Sequence, residues 1–251
     1  MKTQVTIIGF GIMGQAIAGA ISKNDKQIKV IPVDKNNSKL PLKIKDMEKS
    51  DFIILSIKPQ DAEKAILEIK NHLKSKTILV SIMAGVPIKK LVSLSGHQKI
   101  VRMMPNLGLA IGEGIAVWKT NNLSKEEIKK TKSFLNKITE NFEVANEDTI
   151  NKVMTISGCG PAYFFLLANS LIKACADLNL NEKESQQLVI KTFSAAALLA
   201  KKGDYFELIK KVASQGGATE AALQIFEKEN FDKIVLKAVK AAYKRAQELG
   251  K

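Results

Sequence analysis

Cysteine, histidine and arginine are scarce in this chain of 251 residues, which has two of each. Cys159 and Cys175 are too few and too oddly placed for a disulfide framework or a metal site, and they fit a reducing compartment. His72 and His97 fall in a predicted helix and a predicted turn, where we expect surface positions. The sequence therefore offers no metal site and no constellation of His, Asp or Glu for strong acid–base chemistry.

Long hydrophobic runs are also missing. No uninterrupted stretch of about eighteen apolar residues occurs, and the first residues enter a strand-like pattern without the architecture of a signal peptide. We therefore expect a soluble, cytoplasmic protein with no membrane partner. Because 45% of the residues are hydrophobic, a sizeable core can form, and the length favours two domains of moderate size.

Positive charge is plentiful, with a formal net charge of +14 that comes almost entirely from lysine. Such a balance can indicate nucleic acid, a membrane surface or small anions as partners. Here the only arginines are Arg102 and Arg245, and no basic run alternates with aromatic residues. We therefore expect a solvated, lysine-rich surface that mildly favours anionic ligands, and no nucleic-acid partner.

A glycine-rich turn follows the first predicted strand. A β-branched run at residues 5–8 leads into Gly9-Phe10-Gly11-Ile12-Met13-Gly14, and an apolar helix follows over residues 15–21. The G-x-G-x-x-G spacing suits Gly9 to a tight turn, Gly11 to the close approach of a pyrophosphate, and Gly14 to packing of the helix on the strand. We expect this turn to bind a dinucleotide; the alternative is a tight turn without a ligand.

An acidic residue ends the second predicted strand, which covers residues 28–33. Asp34 stands twenty residues after Gly14, where an acid accepts hydrogen bonds from the adenosine ribose and slightly favours NADH. Lys35, Asn36 and Asn37 follow at once. They are equally suited to hold a 2′-phosphate if Asp34 turns away, so the choice between NADH and NADPH stays open.

Strands and helices continue to alternate about every twenty residues. Strands are predicted at 52–56, 77–81, 99–103, 114–118 and 142–144, and helices at 60–73, 87–94 and 124–137. This pattern predicts an α/β fold with a Rossmann-like, doubly wound, mainly parallel sheet, whose ligands lie at the carboxyl ends of the strands. The residues expected on that cofactor-binding rim are Lys58, Pro59, Ala84, Gly85 and Asn106. For Asn106, a plain turn-forming role after Pro105 is an equal alternative.

Strand signals stop near residue 146. Residues 162–178 are almost all apolar, too uniformly for a surface helix, and further helical periodicity follows at 187–200 and 234–249. We therefore predict a dinucleotide-binding domain over residues 1–146 and an all-α domain over residues 147–251. The apolar central helix indicates that another copy of the chain helps to cover it.

A second glycine-built loop lies near the C-terminus. Ser214-Gln215-Gly216-Gly217-Ala218-Thr219 runs directly into a predicted helix. Adjacent glycines permit close approach of a ligand, and the N–H groups that open a helix attract anions, so a carboxylate is expected there beside the Thr219 hydroxyl. One loop for a nucleotide and one for a small anion indicate a two-substrate enzyme.

These motifs together resemble the pyrroline-5-carboxylate reductases over essentially the whole chain. The shared features are the Rossmann start, the Met104-Pro105-Asn106 segment, the Ser157-Gly158-Cys159-Gly160-Pro161-Ala162-Tyr163 turn and the 214–219 loop, in this order and at these spacings. The resemblance implies reduction of the cyclic imine 1-pyrroline-5-carboxylate to proline with NAD(P)H. It also implies homodimers through interlocked C-terminal helices, which can assemble further into rings such as a decamer.

Carried onto this sequence, the family's substrate loop is the 214–219 loop. Its backbone N–H groups, with Ser214, Gly216, Gly217 and Ala218, would hold the substrate carboxylate, and the Thr219 hydroxyl would hydrogen-bond the imine nitrogen. Thr219 is thus the expected catalytic residue, and its alternative is a helix-capping threonine. Because the imine is easily protonated near neutral pH, the site mainly has to align the ring and the nicotinamide.

Several positions depart from the family pattern. Gln215 replaces a usual proline, Leu107-Gly108 replaces Thr-Pro, Cys159 replaces a serine, and Asn169 replaces a common acid. They leave two alternatives open: a reductase of another small anionic cyclic imine or keto substrate, and a non-catalytic cofactor-binding paralogue. The intact Gly216, Gly217 and Thr219 argue against the second.

Overall fold

The computed structural model describes residues 3–249. The chain forms two compact units: the first runs to Gly158 and resumes at Ala242, and the second is Cys159–Ala241. The first unit contains a seven-stranded sheet with helices, and the second is helical.

The sheet of the first unit is parallel except at one pair of strands. Its strands are β1 Gln4–Ile8, β2 Lys29–Val33, β3 Phe52–Leu55, β4 Ile78–Ser81, β5 Ile100–Pro105, β6 Ile115–Asn121 and β7 Glu140–Glu143. The spatial order is β2-β1-β3-β4-β5-β6-β7, and only β5 and β6 pair antiparallel. This confirms the predicted doubly wound, mainly parallel sheet.

Helices connect the strands of this unit. They are α1 Ile12–Asn24, α2 Ile44–Met47, α3 Ala62–Ile69, α4 Ile88–Ser95, α5 Lys125–Leu135 and α6 Asp148–Val153, and short 3-10 turns lie at Pro59–Asp61, Lys70–His72 and Leu107–Ile111. The helix predicted over 60–73 is therefore a short α-helix between two 3-10 turns. The strand predicted to end at residue 118 continues to Asn121, because its antiparallel partner β5 extends the pairing.

The core has one apolar layer on each face of the sheet. Ile7 and Ile54 join α1 and α5 in one layer, whereas Ile53 and Leu55 join α3 and α4 in the other. Side chains alternate between the faces of a strand, so a central strand covered on both faces reads as a continuous apolar run. That is why Phe-Ile-Ile-Leu in β3 is fully buried.

The second unit buries few of its apolar side chains within the chain. Its helices are α7 Gly160–Asp177, α8 Glu182–Ala200, α9 Tyr205–Val212 and α10 Ala218–Lys228, with the first part of α11 Phe231–Glu248. Phe164 packs edge-on against Phe193, yet Phe164, Phe165 and Leu166 are all more than 60% exposed. Large apolar areas are therefore left uncovered in a single copy.

Helix α6 continues through one π-helical turn at Met154–Gly158 into α7. This stretch, Asp148–Asp177, is by length and composition alone apolar enough to cross a membrane. The sequence prediction concerned uninterrupted apolar stretches of about eighteen residues, and this stretch contains polar residues. Polar residues such as Asn169 and Ser170 interrupt the run, but too few charges occur to make it polar.

Both histidines are half-buried and hydrogen-bonded, so the prediction of simple surface positions is incomplete. Nδ1 of His72 lies 3.0 Å from Glu48 Oε1, and Nε2 of His97 lies 2.8 Å from the Thr77 carbonyl oxygen. Their bonds join neighbouring segments of the fold, which explains their burial.

Candidate active site

The glycine turn after β1 is shaped by close backbone contacts. Gly9 has a φ of +91°, and a Cβ there would collide with the Ser56 carbonyl group. A Cβ on Gly14 would collide with the Gly9 carbonyl oxygen, whereas one on Gly11 would meet no atom within 4 Å. Gly9 and Gly14 are thus required by the turn itself, and the open space at Gly11 leaves room for a ligand beside the first N–H groups of α1.

Asp34 at the end of β2 braces this turn. Its Oδ2 accepts a hydrogen bond of 3.0 Å from the Phe10 N–H, and its Oδ1 accepts one of 2.9 Å from the Asn36 N–H. Each carboxylate oxygen keeps capacity for a further donor. Asp34 therefore holds the glycine turn in place and still faces the adjacent cleft.

A cleft of about 580 Å³ lies at the carboxyl ends of β1, β2 and β3. It brings together five of the predicted cofactor residues, namely Gly9, Gly11, Asp34, Lys35 and Lys58. A volume of this size suits a small-molecule or nucleotide ligand. Of the other predicted residues, Phe10, Ile12, Met13 and Gly14 belong to the turn or the start of α1, and Pro59 opens the following 3-10 turn.

The loop that follows β4, part of the predicted cofactor-binding rim, packs against the end of the C-terminal helix α11. Gly85 has a φ of +77°, and a Cβ there would lie 2.6 Å from Leu249 Cβ and 2.8 Å from the Ala246 carbonyl oxygen. Ala84 packs against the small cluster that contains the buried Ala246. These two predicted residues thus support packing of the helix end in addition to any contact with a cofactor.

The predicted rim residue Asn106 stabilises the connection between β5 and β6. Its Oδ1 accepts a hydrogen bond of 3.1 Å from the Ile115 N–H, and the residue opens the Leu107–Ile111 turn. A Cβ on Gly108 would approach the Glu113 carbonyl oxygen at 2.5 Å. Asn106 therefore supports this turn, and its contact with a cofactor stays a prediction. The departure at Gly108 is explained by the tightness of the turn.

Sequence reasoning missed the structural role of Arg102. Its guanidinium is 1% exposed; Nη1 donates to Glu147 Oε1 at 2.9 Å and Nη2 to Asn151 Oδ1 at 2.6 Å. The same Glu147 oxygen accepts the Ile88 N–H at 2.8 Å. Through Glu147, Arg102 thereby links β5 to the starts of α4 and α6. The sequence signal for this role was a single arginine within an otherwise apolar strand.

The 214–219 loop enters α10 with Gly217 at the N-cap position. Gly216 has a φ of +71°, and the Gly217 N–H donates to the Ser214 carbonyl oxygen at 3.0 Å. Thr219 is the second helical residue, and no side chain caps the helix. The capping alternative for Thr219 is therefore wrong, and its half-buried hydroxyl is available for another role.

A carboxylate of the chain already occupies part of this loop. The Gly216 N–H donates to Glu220 Oε2 at 2.7 Å. Glu220 lies in the first turn of α10, where a negative charge is stabilised by the helix dipole. In the structure the loop thus contacts a carboxylate of its own chain, and binding of a substrate carboxylate stays a prediction. The exposed Gln215 makes no contact that explains its difference from the family pattern.

The turn that opens α7 places Cys159 at the N-cap position, one turn before Tyr163. Burial raises the pKa of the Tyr163 phenol, and the neighbouring Cys159 raises it further. Cys159 therefore packs beside an aromatic ring, and Asn169 is exposed on the same helix.

Across residues 3–249, no group of three or more His, Cys, Asp or Glu side chains is placed to hold a metal ion.

Comparison with known proteins relates the full length of the chain to one group of enzymes. It is 30% identical to a pyrroline-5-carboxylate reductase of Aquifex aeolicus, covering 99% of this chain and 98% of the relative. It is 34% identical to that of Arabidopsis thaliana over 81% of this chain and 74% of the relative. The chain belongs to the pyrroline-5-carboxylate reductase family. Its residues 147–249 match the family model described as pyrroline-5-carboxylate reductase dimerisation.

Comparison with solved structures gives the same family. The fold matches the crystal structure of Plasmodium falciparum pyrroline carboxylate reductase with NADP bound, with a TM-score of 0.89, 30% identity and complete coverage of both chains. A pyrroline-5-carboxylate reductase of Coxiella burnetii matches with a TM-score of 0.88 and 27% identity, again over both whole chains. Residues 4–85 also match a model described as NADP oxidoreductase, coenzyme F420-dependent.

The reductase family gives the exposed apolar helices a physical explanation. They lie in the region matched by the dimerisation model. The chain is thus built to associate, and its α7 helix resembles a membrane span because a protein partner is expected to cover it. The sequence predicts the same for this helix, since residues 162–178 are almost all apolar.

Proposed function

We propose that this chain reduces 1-pyrroline-5-carboxylate to L-proline with NAD(P)H, the last step of proline biosynthesis. Full-length membership of the pyrroline-5-carboxylate reductase family is the observation that carries the proposal. The glycine turn supports it, because collisions at Gly9 and Gly14 and open space at Gly11 are what a pyrophosphate-binding turn requires.

The residues of the first unit would hold the cofactor. The first N–H groups of α1, at Ile12 and Met13, are oriented for a pyrophosphate, and Asp34 and Lys35 face the cleft where the adenosine would lie. NAD(P)H supplies a hydride when it is bound. Lys58, Pro59, Ala84, Gly85 and Asn106 complete the proposed cofactor-binding set.

The residues of the 214–219 loop would hold the substrate. The N–H groups of Ala218 and Thr219 open α10 and favour a carboxylate, aided by Gly216 once Glu220 withdraws, and by Ser214 and Gly217 in the turn. The Thr219 hydroxyl would hydrogen-bond the ring nitrogen and orient the C=N bond. The nitrogen takes its proton from solvent, so the protein needs no strong acid, and the carbon accepts the hydride.

We also propose the wider organisation. The dinucleotide-binding domain would cover residues 1–146 and the substrate and dimerisation domain residues 147–251, a boundary that the start of the dimerisation match at residue 147 supports. Homodimers form through the C-terminal helices and assemble into a ring such as a decamer. The protein works in the cytoplasm, free of membranes and nucleic acid.

The test is an assay of the purified chain with 1-pyrroline-5-carboxylate and either NADH or NADPH, followed at the nicotinamide absorbance. We expect oxidation of the cofactor that depends on the imine. The proposal fails if neither cofactor is oxidised.

A further inference from the structure

An ion pair spans the cofactor cleft. Nζ of Lys35 lies 2.7 Å from Asp61 Oδ1. Lys35 follows β2 and Asp61 ends the 3-10 turn that follows β3, and both strands flank β1 in the sheet. Both residues line the cleft, and the pair joins the segments that follow the two neighbours of β1.

The cleft holds as many acids as bases. Its charged lining residues are Lys35, Lys58, Lys64, Asp34, Asp61 and Glu68. The hydrogen bond from Lys35 lowers the pKa of Asp61, and the charges of Lys58 and Lys64 lower it further. Asp61 is thus ionised at neutral pH, and the charge of Lys35 is neutralised by a partner.

NADPH differs from NADH by one phosphate on the adenosine ribose. In Rossmann folds this ribose lies at the end of the second strand, and a basic side chain there accommodates the 2′-phosphate. Lys35 is the basic residue at that position in this chain. Asp34, beside it, is anchored by the N–H groups of Phe10 and Asn36, which fixes its carboxylate where it braces the turn.

A lysine that is paired with a carboxylate binds a phosphate more weakly, because the carboxylate offsets the lysine charge and repels the phosphate. We propose that Asp61 sets the preference of this cleft between NADPH and NADH by holding Lys35 away from the 2′-phosphate. This inference rests on the proposed function only in taking NAD(P)H as the cofactor. Asp61 acts through Lys35 and is therefore a positioning residue.

Calorimetric titration of the full chain at low ionic strength tests this directly. The probes are adenosine 2′,5′-bisphosphate, which carries the 2′-phosphate, and adenosine 5′-monophosphate, which lacks it. Asp61→Asn should tighten binding of the bisphosphate about three- to fivefold, the range of an exposed ion pair, and leave the monophosphate unchanged. Lys35→Gln should weaken the bisphosphate by at least as much.

A double variant and a charge control distinguish an effect of the Lys35–Asp61 pair from a general change in the charge of the cleft. In the Lys35→Gln background, Asp61→Asn should give no selective gain, and Glu68→Gln, which removes a charge from the same cleft, should give less than Asp61→Asn. The inference is overturned if Asp61→Asn tightens both probes equally, or if its gain persists without Lys35. The oxidation assay reports separately on the proposed function, because 1-pyrroline-5-carboxylate is not used in this titration.

Discussion

At the scale of single residues, the structure gives several predicted positions a second role. Asp34 faces the cleft and also accepts two backbone N–H groups, and Asn106 supports the Ile115 backbone. Thr219 lies inside the first turn of α10 and does not cap it. Of these residues, Thr219 is the one proposed to act in the reaction.

Replacement of Thr219 by Ala should lower kcat about tenfold to a thousandfold while cofactor affinity stays unchanged, because one positioned hydrogen bond is lost at the reacting nitrogen. Steady-state kinetics and cofactor titration measure both. Thr219→Ser, which keeps the hydroxyl, should retain most of the activity. Wild-type turnover in the alanine variant would remove Thr219 from the proposed mechanism.

Glu220 accepts the Gly216 N–H in the structure, and in the proposed site it would compete with the substrate carboxylate for that donor, so its charge should weaken substrate binding. Glu220→Gln keeps an acceptor for that N–H and removes the charge. We expect KM for 1-pyrroline-5-carboxylate to fall about two- to fivefold with kcat unchanged, in line with the strength of a charge at a helix N-terminus. Glu227→Gln, on an exposed position of the same helix, is the control and should change neither. A higher KM in Glu220→Gln would show that Glu220 supports the loop instead of competing for it.

The residue types of the site could be predicted, but their contacts could not. Glycine spacing identifies Gly9, Gly11 and Gly14 because the reasons for glycine are local to the backbone. The bonds of Asp34 to Phe10 and of Glu220 to Gly216 depend on which rotamer each side chain adopts after folding. No pattern in the sequence carries that information.

At the scale of elements, periodicity located the central strands well. A strand covered on both faces is apolar throughout, and β3 and β4 are examples. The antiparallel pairing of β6 was not predicted, since it depends on the tight turn around Gly108 that returns the chain beside β5. The network of Arg102 was equally hidden because its partners, Glu147 and Asn151, are remote in sequence.

The end of helix α11 belongs to the first unit, where Tyr243 makes a polar contact with α6. The Tyr243 hydroxyl lies 2.7 and 2.8 Å from the two carboxylate oxygens of Asp148 in α6. This hydrogen bond is the main cause that lowers the pKa of Asp148 below its ordinary value of 3.8, with Lys152 second. A lowered carboxyl pKa stabilises the fold above the unfolded pKa, and the contribution is lost as pH falls through the folded pKa.

Tyr243→Phe should therefore lower the free energy of unfolding at neutral pH, and the difference from wild type should vanish in acid, well below pH 3.8. Urea unfolding at the two pH values, at one protein concentration, measures this. Tyr205→Phe, at an exposed tyrosine of α9, is the control and should match wild type at both. A difference for Tyr243→Phe that persists unchanged in acid would contradict the assignment to Asp148.

At the scale of the whole molecule, the exposed apolar helices are the leading feature. Phe165 and Leu166 on α7 are 65% and 67% exposed in one copy, within the region that matches the dimerisation model. The sequence predicted that a second copy helps to cover this helix, because an almost entirely apolar helix has little polar surface to give to solvent. The contacts that the partner makes depend on the assembled surface and could not be predicted.

Leu166→Asp should shift the chain from dimer toward monomer, because burial of a leucine side chain is worth about 1.5–3 kcal/mol and an unpaired carboxylate opposes burial. Sedimentation velocity over a range of concentrations measures the shift. Leu67→Asp makes the same change at an exposed leucine of α3, outside the dimerisation region, and should leave the assembly intact. An unchanged dimer in Leu166→Asp would place the interface elsewhere.

Conversion of 1-pyrroline-5-carboxylate into proline is the activity that we propose for this chain. The most direct measurement supplies the purified protein with the imine and NADPH or NADH, and quantifies L-proline by mass spectrometry beside the cofactor consumed. We predict one proline for each cofactor oxidised with at least one of the two. Absence of proline with both cofactors, in a preparation that binds them, would contradict the account.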